Sequence, residues 1–119
     1  MDRMKKMFVV LMIAGSVAGC KKESVTTYDC TGVTPTYTAT IKPILDANCA
    51  SSGCHSASSK SEGYDLSSYT GAKSASSKSA FLGSIQHKSG YKAMPQGSGQ
   101  LADSDIKLIS CWVQNGTPQ

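Results

Sequence analysis

Large apolar and aromatic side chains are scarce in this chain. Among its 119 residues only two are Phe, one is Trp and five are Tyr. From Val33 onward there are about eighteen sizeable apolar or aromatic side chains, and eighteen serines dilute the segment from Cys20 to the end. A core this thin buries little surface, and one domain of this length is marginal unless something supplements it. Long apolar runs are also missing. Met7–Ala14, "MFVVLMIA", is too short to span a bilayer as a helix. Charge of one sign is weak as well. From Cys20 on, nine lysines face seven acids, a formal charge of +2. The lysines are scattered, so nothing argues for a nucleic-acid partner. His55 and His87 are the only histidines, and beyond Met12 the only methionine is Met94.

The short apolar run has a meaning of its own. Arg3, Lys5 and Lys6 precede it and the small residues of "GSVAGC" follow it. That pattern predicts a secretory signal peptide over 1–19. "VAGC" resembles a bacterial lipobox, which implies cleavage before Cys20 and acylation of that cysteine. Such a protein is lipid-anchored to the bacterial envelope, and multiple acyl chains hold firmly. Lys21, not aspartate, follows the cysteine, which implies the outer membrane, on its periplasmic or its surface face. "CKKES" partly resembles the Lys-then-acid signals of surface lipoproteins. The plainer alternative is a secreted protein with Cys20 unmodified. Residues 20–36 are rich in Ser, Thr and Lys without apolar period and read as a tether. Residues 37–119 read as one domain.

Within that domain "YTATIKPILDANC" is the first helical segment, with Ile41, Ile44 and Leu45 at i, i+3, i+4. Pro43 is tolerable only in a first turn, so the helix is predicted to start near Thr40, capped by Thr38 or Thr40. The hexapeptide "SASSKS" occurs at Ser56–Ser61 and again at Ser74–Ser79. It reads as solvated loop or helix surface without chemistry. Tyr64, Leu66 and Tyr69 are packing candidates between the copies, with a short helix near Ser67–Ala72. "AFLGSI" is apolar, helix or strand, and "SGYKAMPQGSG" is loop. The clearest element is "ADSDIKLISCWVQNG". Ile106, Ile109, Trp112 and Val113 fall at helical spacing, Asp103 and Asp105 suit the N-terminal end of the dipole, and Gly116 suits the position after the C-cap.

The chemistry concentrates in "NCASSGCHS", Asn48–Ser56. Cys-x-x-Cys-His is the covalent haem-attachment pattern, two thiols for two vinyl groups and an imidazole beside them for the iron. Here four residues separate the cysteines. On a helix, i and i+5 differ by about 140° net and point apart. The helix is therefore predicted to stop near Cys49, with "ASSG" looping out and Gly53 free to take positive φ. Cys54 and His55 stay adjacent. A local Cys49–Cys54 disulfide, a zinc site and chance are the alternatives, and structural zinc requires four ligands. A second axial ligand is sought downstream. Met94 in "AMPQG" is favoured, because a loop beside Pro95 and Gly97 is a poor place for core filler. His87 is the competitor.

Taken together, "IKPILDANCASSGCHS…GYDLSSY…GYKAMPQG" and the last helix with its tryptophan resemble small monohaem c-type cytochromes, over about Thr38–Gly116. The resemblance implies a mainly α, cytochrome c-like fold of short helices around one covalent haem c, with the first and last helices crossing. It implies thioether links at Cys49 and Cys54, and His55 and Met94 as axial ligands. The implied role is an electron carrier between redox proteins, not an enzyme. The alternatives are a haem protein whose open sixth site binds peroxide or a gas, and a haem-free disulfide-stapled surface lipoprotein. No proline lies between His55 and Met94, so a carbonyl other than the usual proline's would have to orient the His55 ring. Export places the cysteines in an oxidising compartment, where the four beyond Cys20 allow three connectivities. If Cys49 and Cys54 hold haem, the pairing left is Cys30 with Cys111, which adds roughly 4–5 kcal/mol by loop entropy.

Overall fold

The computed structural model describes Gly19 and residues 21–119. The predicted leader up to Ala18 and the proposed acylation site Cys20 lie outside the described residues. Among the described residues the chain is mainly helical, with no strand. None of these helices is long and apolar enough to cross a membrane.

The first helix is shaped by Pro43. It opens with a π-helical turn, Tyr37–Ile41, and continues as α1, Lys42–Asn48. The cap is Thr36, upstream of the two threonines expected from sequence. Its hydroxyl accepts from the Ala39 N–H at 3.4 Å, and its carbonyl accepts from Thr40 and Ile41 at 3.0 and 3.1 Å. The wide turn carries the chain past the carbonyl that the Pro43 ring would otherwise meet. Pro43 then sits at the start of α1, where its missing N–H costs nothing. Tyr37, Ile41 and Leu45 form the buried stripe, one step from the expected set, since Ile44 is only half-buried.

α2 spans Tyr69–Ser76 and α3 spans Ser79–Ile85. Ser68 caps α2 by accepting from the Gly71 N–H at 3.2 Å. α4, Asp103–Gln114, carries the densest packing, with Ile106, Ile109, Cys111 and Trp112 all buried. Its end folds back: Trp112 Nε1 donates to Pro118 O at 2.8 Å, and the same carbonyl accepts from the Tyr37 N–H at 2.9 Å. Tyr69 OH donates to Thr117 O at 2.9 Å. Three helices thus meet at the C-terminal residues, and the Tyr37 ring lies 6.1 Å from Trp112 and 5.4 Å from Tyr69.

The segment read as a tether has no regular structure, yet it is fastened along its length. Glu23 N–H donates to Ser89 O at 2.9 Å, and the Glu23 carboxylate pairs with Lys88 at 3.1 Å. Thr26 exchanges two backbone bonds with the Gln86 amide, at 2.6 and 3.0 Å. Tyr28 OH donates to Asp103 at 2.9 Å. Cys30 is disulfide-bonded to fully buried Cys111. These partners are 60 or more residues away, so composition alone could not reveal them. A cross-link over 81 residues stabilises by about 4.5 kcal/mol in the loop-entropy picture.

Candidate functional site

α1 ends at Asn48, and Cys49 leaves the helix at φ −127°, ψ −40°. The Cys49 and Ala50 N–H groups both donate to Leu45 O, at 2.7 and 2.8 Å, which uses up the last turn. The chain then loops as the cysteine spacing requires. Gly53 takes φ 82°, and Cys54 N–H donates to Ser51 O at 3.0 Å. His55 N–H reaches back to Cys49 O at 3.0 Å, closing the loop so that both cysteines and the histidine belong to one turn. His55 O in turn accepts from Leu66 N–H at 2.8 Å. The first serine-rich hexapeptide braces this loop from outside. Ser59 Oγ accepts from Gly53 N–H at 2.8 Å, and Ser61 N–H donates to Cys54 O at 2.9 Å.

Both thiols are free, Cys49 half-buried and Cys54 exposed. Burial, and then the neighbouring Cys54, push the Cys49 thiol up to about 11. The His55 ring lies 6.5 Å from that of Tyr64, and its Nδ1 is buried with no hydrogen-bond partner. The carbonyl expected to orient the ring is not supplied. A buried imidazole nitrogen without a partner is costly.

Cys49, Cys54, His55 and Met94 all line one cavity of about 870 Å³. That is the size of a cofactor pocket. Leu45, Leu66, Phe81, Ile85, Tyr91 and Leu101 supply its apolar wall. Met94 comes from the loop after α3, forty residues beyond Cys54 in sequence, and is half-buried. Its N–H donates to Ser84 O at 3.1 Å, and its carbonyl is 3.0 Å from His87 Nε2. A carbonyl only accepts, so Nε2 carries the proton and donates. His87, the competing ligand on sequence grounds, therefore has a ring nitrogen engaged by the backbone of the other candidate.

The zinc alternative needed more ligands than Cys49, Cys54 and His55, and Cys30 and Cys111 are bonded to each other. Among the described residues no three His, Cys, Asp or Glu side chains converge to hold a metal ion. Sequence reasoning missed the wall residues Phe81, Tyr91 and Leu101 and the link between His87 and Met94. Only periodicity could have flagged the first group, and the short interrupted segments that carry it have none. Compared with protein families, with curated proteins and with solved structures, the chain matches none.

Proposed function

We propose that this chain is an exported monohaem c-type cytochrome that carries single electrons between redox proteins. The observation that carries the reading is the single cavity shared by Cys49, Cys54, His55 and Met94. The residues present fit the group. Two thiols are unpaired although another pair in the same chain is disulfide-bonded. The imidazole beside them lines the same cavity, and a soft thioether shares that space with large apolar side chains.

Covalent haem bound there supplies one-electron chemistry at iron, at a potential set by axial ligands, burial and hydrogen bonds. Cys49 and Cys54 would hold the group covalently through their thiols, and His55 and Met94 would bind its iron. The chain's remaining task is to keep that space dry and rigid. Phe81, Tyr91 and Leu101 exclude water, and the α3 end and the closed 49–55 loop fix the two ligands from opposite directions of the sequence. The crossing of the first and last helices belongs to the same reading, and what supports it is the contact of Trp112 in α4 with Tyr37 in the π-helical turn that leads into α1. Acylation of Cys20 anchors the carrier to the bacterial envelope, at the outer membrane. Because the segment after Cys20 is fastened to α3 and α4, the anchor acts on the body through a short lead.

Replacing Met94 with Ala tests the ligand set. The oxidised parent should show the methionine–iron absorption band and Met94→Ala should lose it, with a lower potential. A band that persists unchanged in Met94→Ala refutes Met94 as ligand.

A further inference from the structure

We propose that His87 is a positioning residue, which fixes Met94 for the iron by donating a hydrogen bond to Met94's own carbonyl. The inference rests on the His/Met haem reading and goes beyond it. α3 ends at Ile85, and two residues later His87 turns left-handed at φ 51°. A residue with a side chain takes that conformation at a cost, and it persists only where the surroundings fix it. Here they do. His87 N–H donates to Ser84 O at 3.2 Å, and Lys88 N–H donates to Gly83 O at 2.9 Å. The reversal sends the chain away from α3, and the imidazole meets the chain again where it returns, 3.0 Å from Met94 O.

Met94 is thereby held by both of its backbone groups. Its N–H is on the Ser84 carbonyl in the last turn of α3, and its C=O is on the imidazole. The intervening loop is pinned as well. Tyr91 packs so closely on α3 that a Cβ at Gly83 would lie 2.6 Å from its ring. The root of the methionine is fixed to a helix, while the side chain itself is unbranched and flexible. A weak neutral ligand on a flexible side chain stays on a metal only if its root does not wander. The same bond directs the Nε2 proton of His87 at a carbonyl, which gives that ring a structural use and not a ligand's.

The test uses the holoprotein, with His87→Phe to remove the donor and keep a ring, and His87→Gln to restore an N–H of similar reach. Three signals are read: the methionine–iron band, the midpoint potential, and binding of added imidazole to the ferric iron. Loss of one positioning hydrogen bond should let imidazole displace Met94 about five- to tenfold more readily in His87→Phe. The band should weaken and the potential fall, and His87→Gln should recover most of each. Equal imidazole affinity, band and potential in His87→Phe and the parent would overturn the proposal, even if the variant melts at a lower temperature. If His87→Phe does not fold, the nitrogen NMR spectrum of the reduced parent decides. A protonated Nε2 supports the proposal, and a neutral ring protonated only on Nδ1 overturns it. A parent with no methionine–iron band at all defeats the underlying ligand assignment instead.

Discussion

The sequence Ser-Ala-Ser-Ser-Lys-Ser folds in two ways in this molecule. At 56–61 it is a turn-rich loop in which Ala57 is exposed and the hydroxyls of Ser56, Ser58 and Ser59 bond to one another. At 74–79 it closes α2 and opens α3, with Ala75 and Ser76 buried and Ser76 Oγ donating back to Lys73 O at 2.8 Å. The six residues are identical, so the difference comes from what flanks them. The second copy continues a helix already started by the Ser68 cap and packed through Ala72. The first follows His55, whose backbone is committed to closing the cysteine loop, and no α-helix reaches it. Local propensity is a weak prior that context overrides.

The same contrast divides the two sides of the cavity. The side formed by α3, the Met94 loop and α4 is built on buried apolar residues and the disulfide. The side that carries Cys49, Cys54 and His55 is built on backbone turns and serine hydroxyls. The first is organised by buried side chains and the second by main-chain hydrogen bonds, and on the proposed reading the second is where a bound haem would add support.

Breaking the well-built side should have the largest effect. Replacing Cys30 and Cys111 together by Ala should lower stability by about 4–5 kcal/mol, read as a drop in the urea midpoint. A loss under about 1 kcal/mol would mean that the 81-residue cross-link does not constrain the unfolded chain. The paired hexapeptides give a sharper, smaller test. Ala75 is 4% exposed, so Ala75→Leu should cost about 1–3 kcal/mol through overpacking. The same change at Ala57 should fall within about 0.5 kcal/mol of zero. Equal costs at the two sites would erase the distinction.

The smallest effect concerns the N-terminal segment. The Ser89 N–H and the Lys88 ammonium hold the Glu23 carboxyl below its ordinary value of 4.5. The folded state then binds fewer protons than the unfolded one. The contribution is full above about 4.5 and is lost as pH falls through the lowered folded value. Glu23→Gln should therefore be slightly less stable at neutral pH, and the gap should close in acid unfolding below pH 4.5. Solvent exposure and salt screening keep this effect small.

How much of this was legible depended on the range of the interactions. The last helix was readable because Ile106, Ile109 and Trp112 repeat within it, and the stop at Cys49 was readable because helix geometry forbids two thiols at i, i+5 from meeting. The Thr36 cap was not, since a π-helical turn shifts the start by several residues and leaves the apolar period nearly unchanged. The fastening of residues 21–30 was hidden for a different reason. It relies on single polar side chains, Glu23, Gln86 and Asp103, each finding a distant partner, and no local pattern marks such a residue. On sequence grounds His87 is only the competing ligand, and its bond to Met94 O is visible only once the fold brings Met94 back to it. The unsupplied carbonyl at His55 Nδ1 likewise needed coordinates.

We propose that a haem bound through Cys49 and Cys54 completes this thinly cored chain. Intact mass spectrometry after export in a cell with the cytochrome maturation machinery tests it most directly. The expected result is a mature chain heavier by one haem, with the added mass on the peptide that contains Cys49, Cys54 and His55. A mature chain without that mass, its two thiols free or joined to each other, would contradict it.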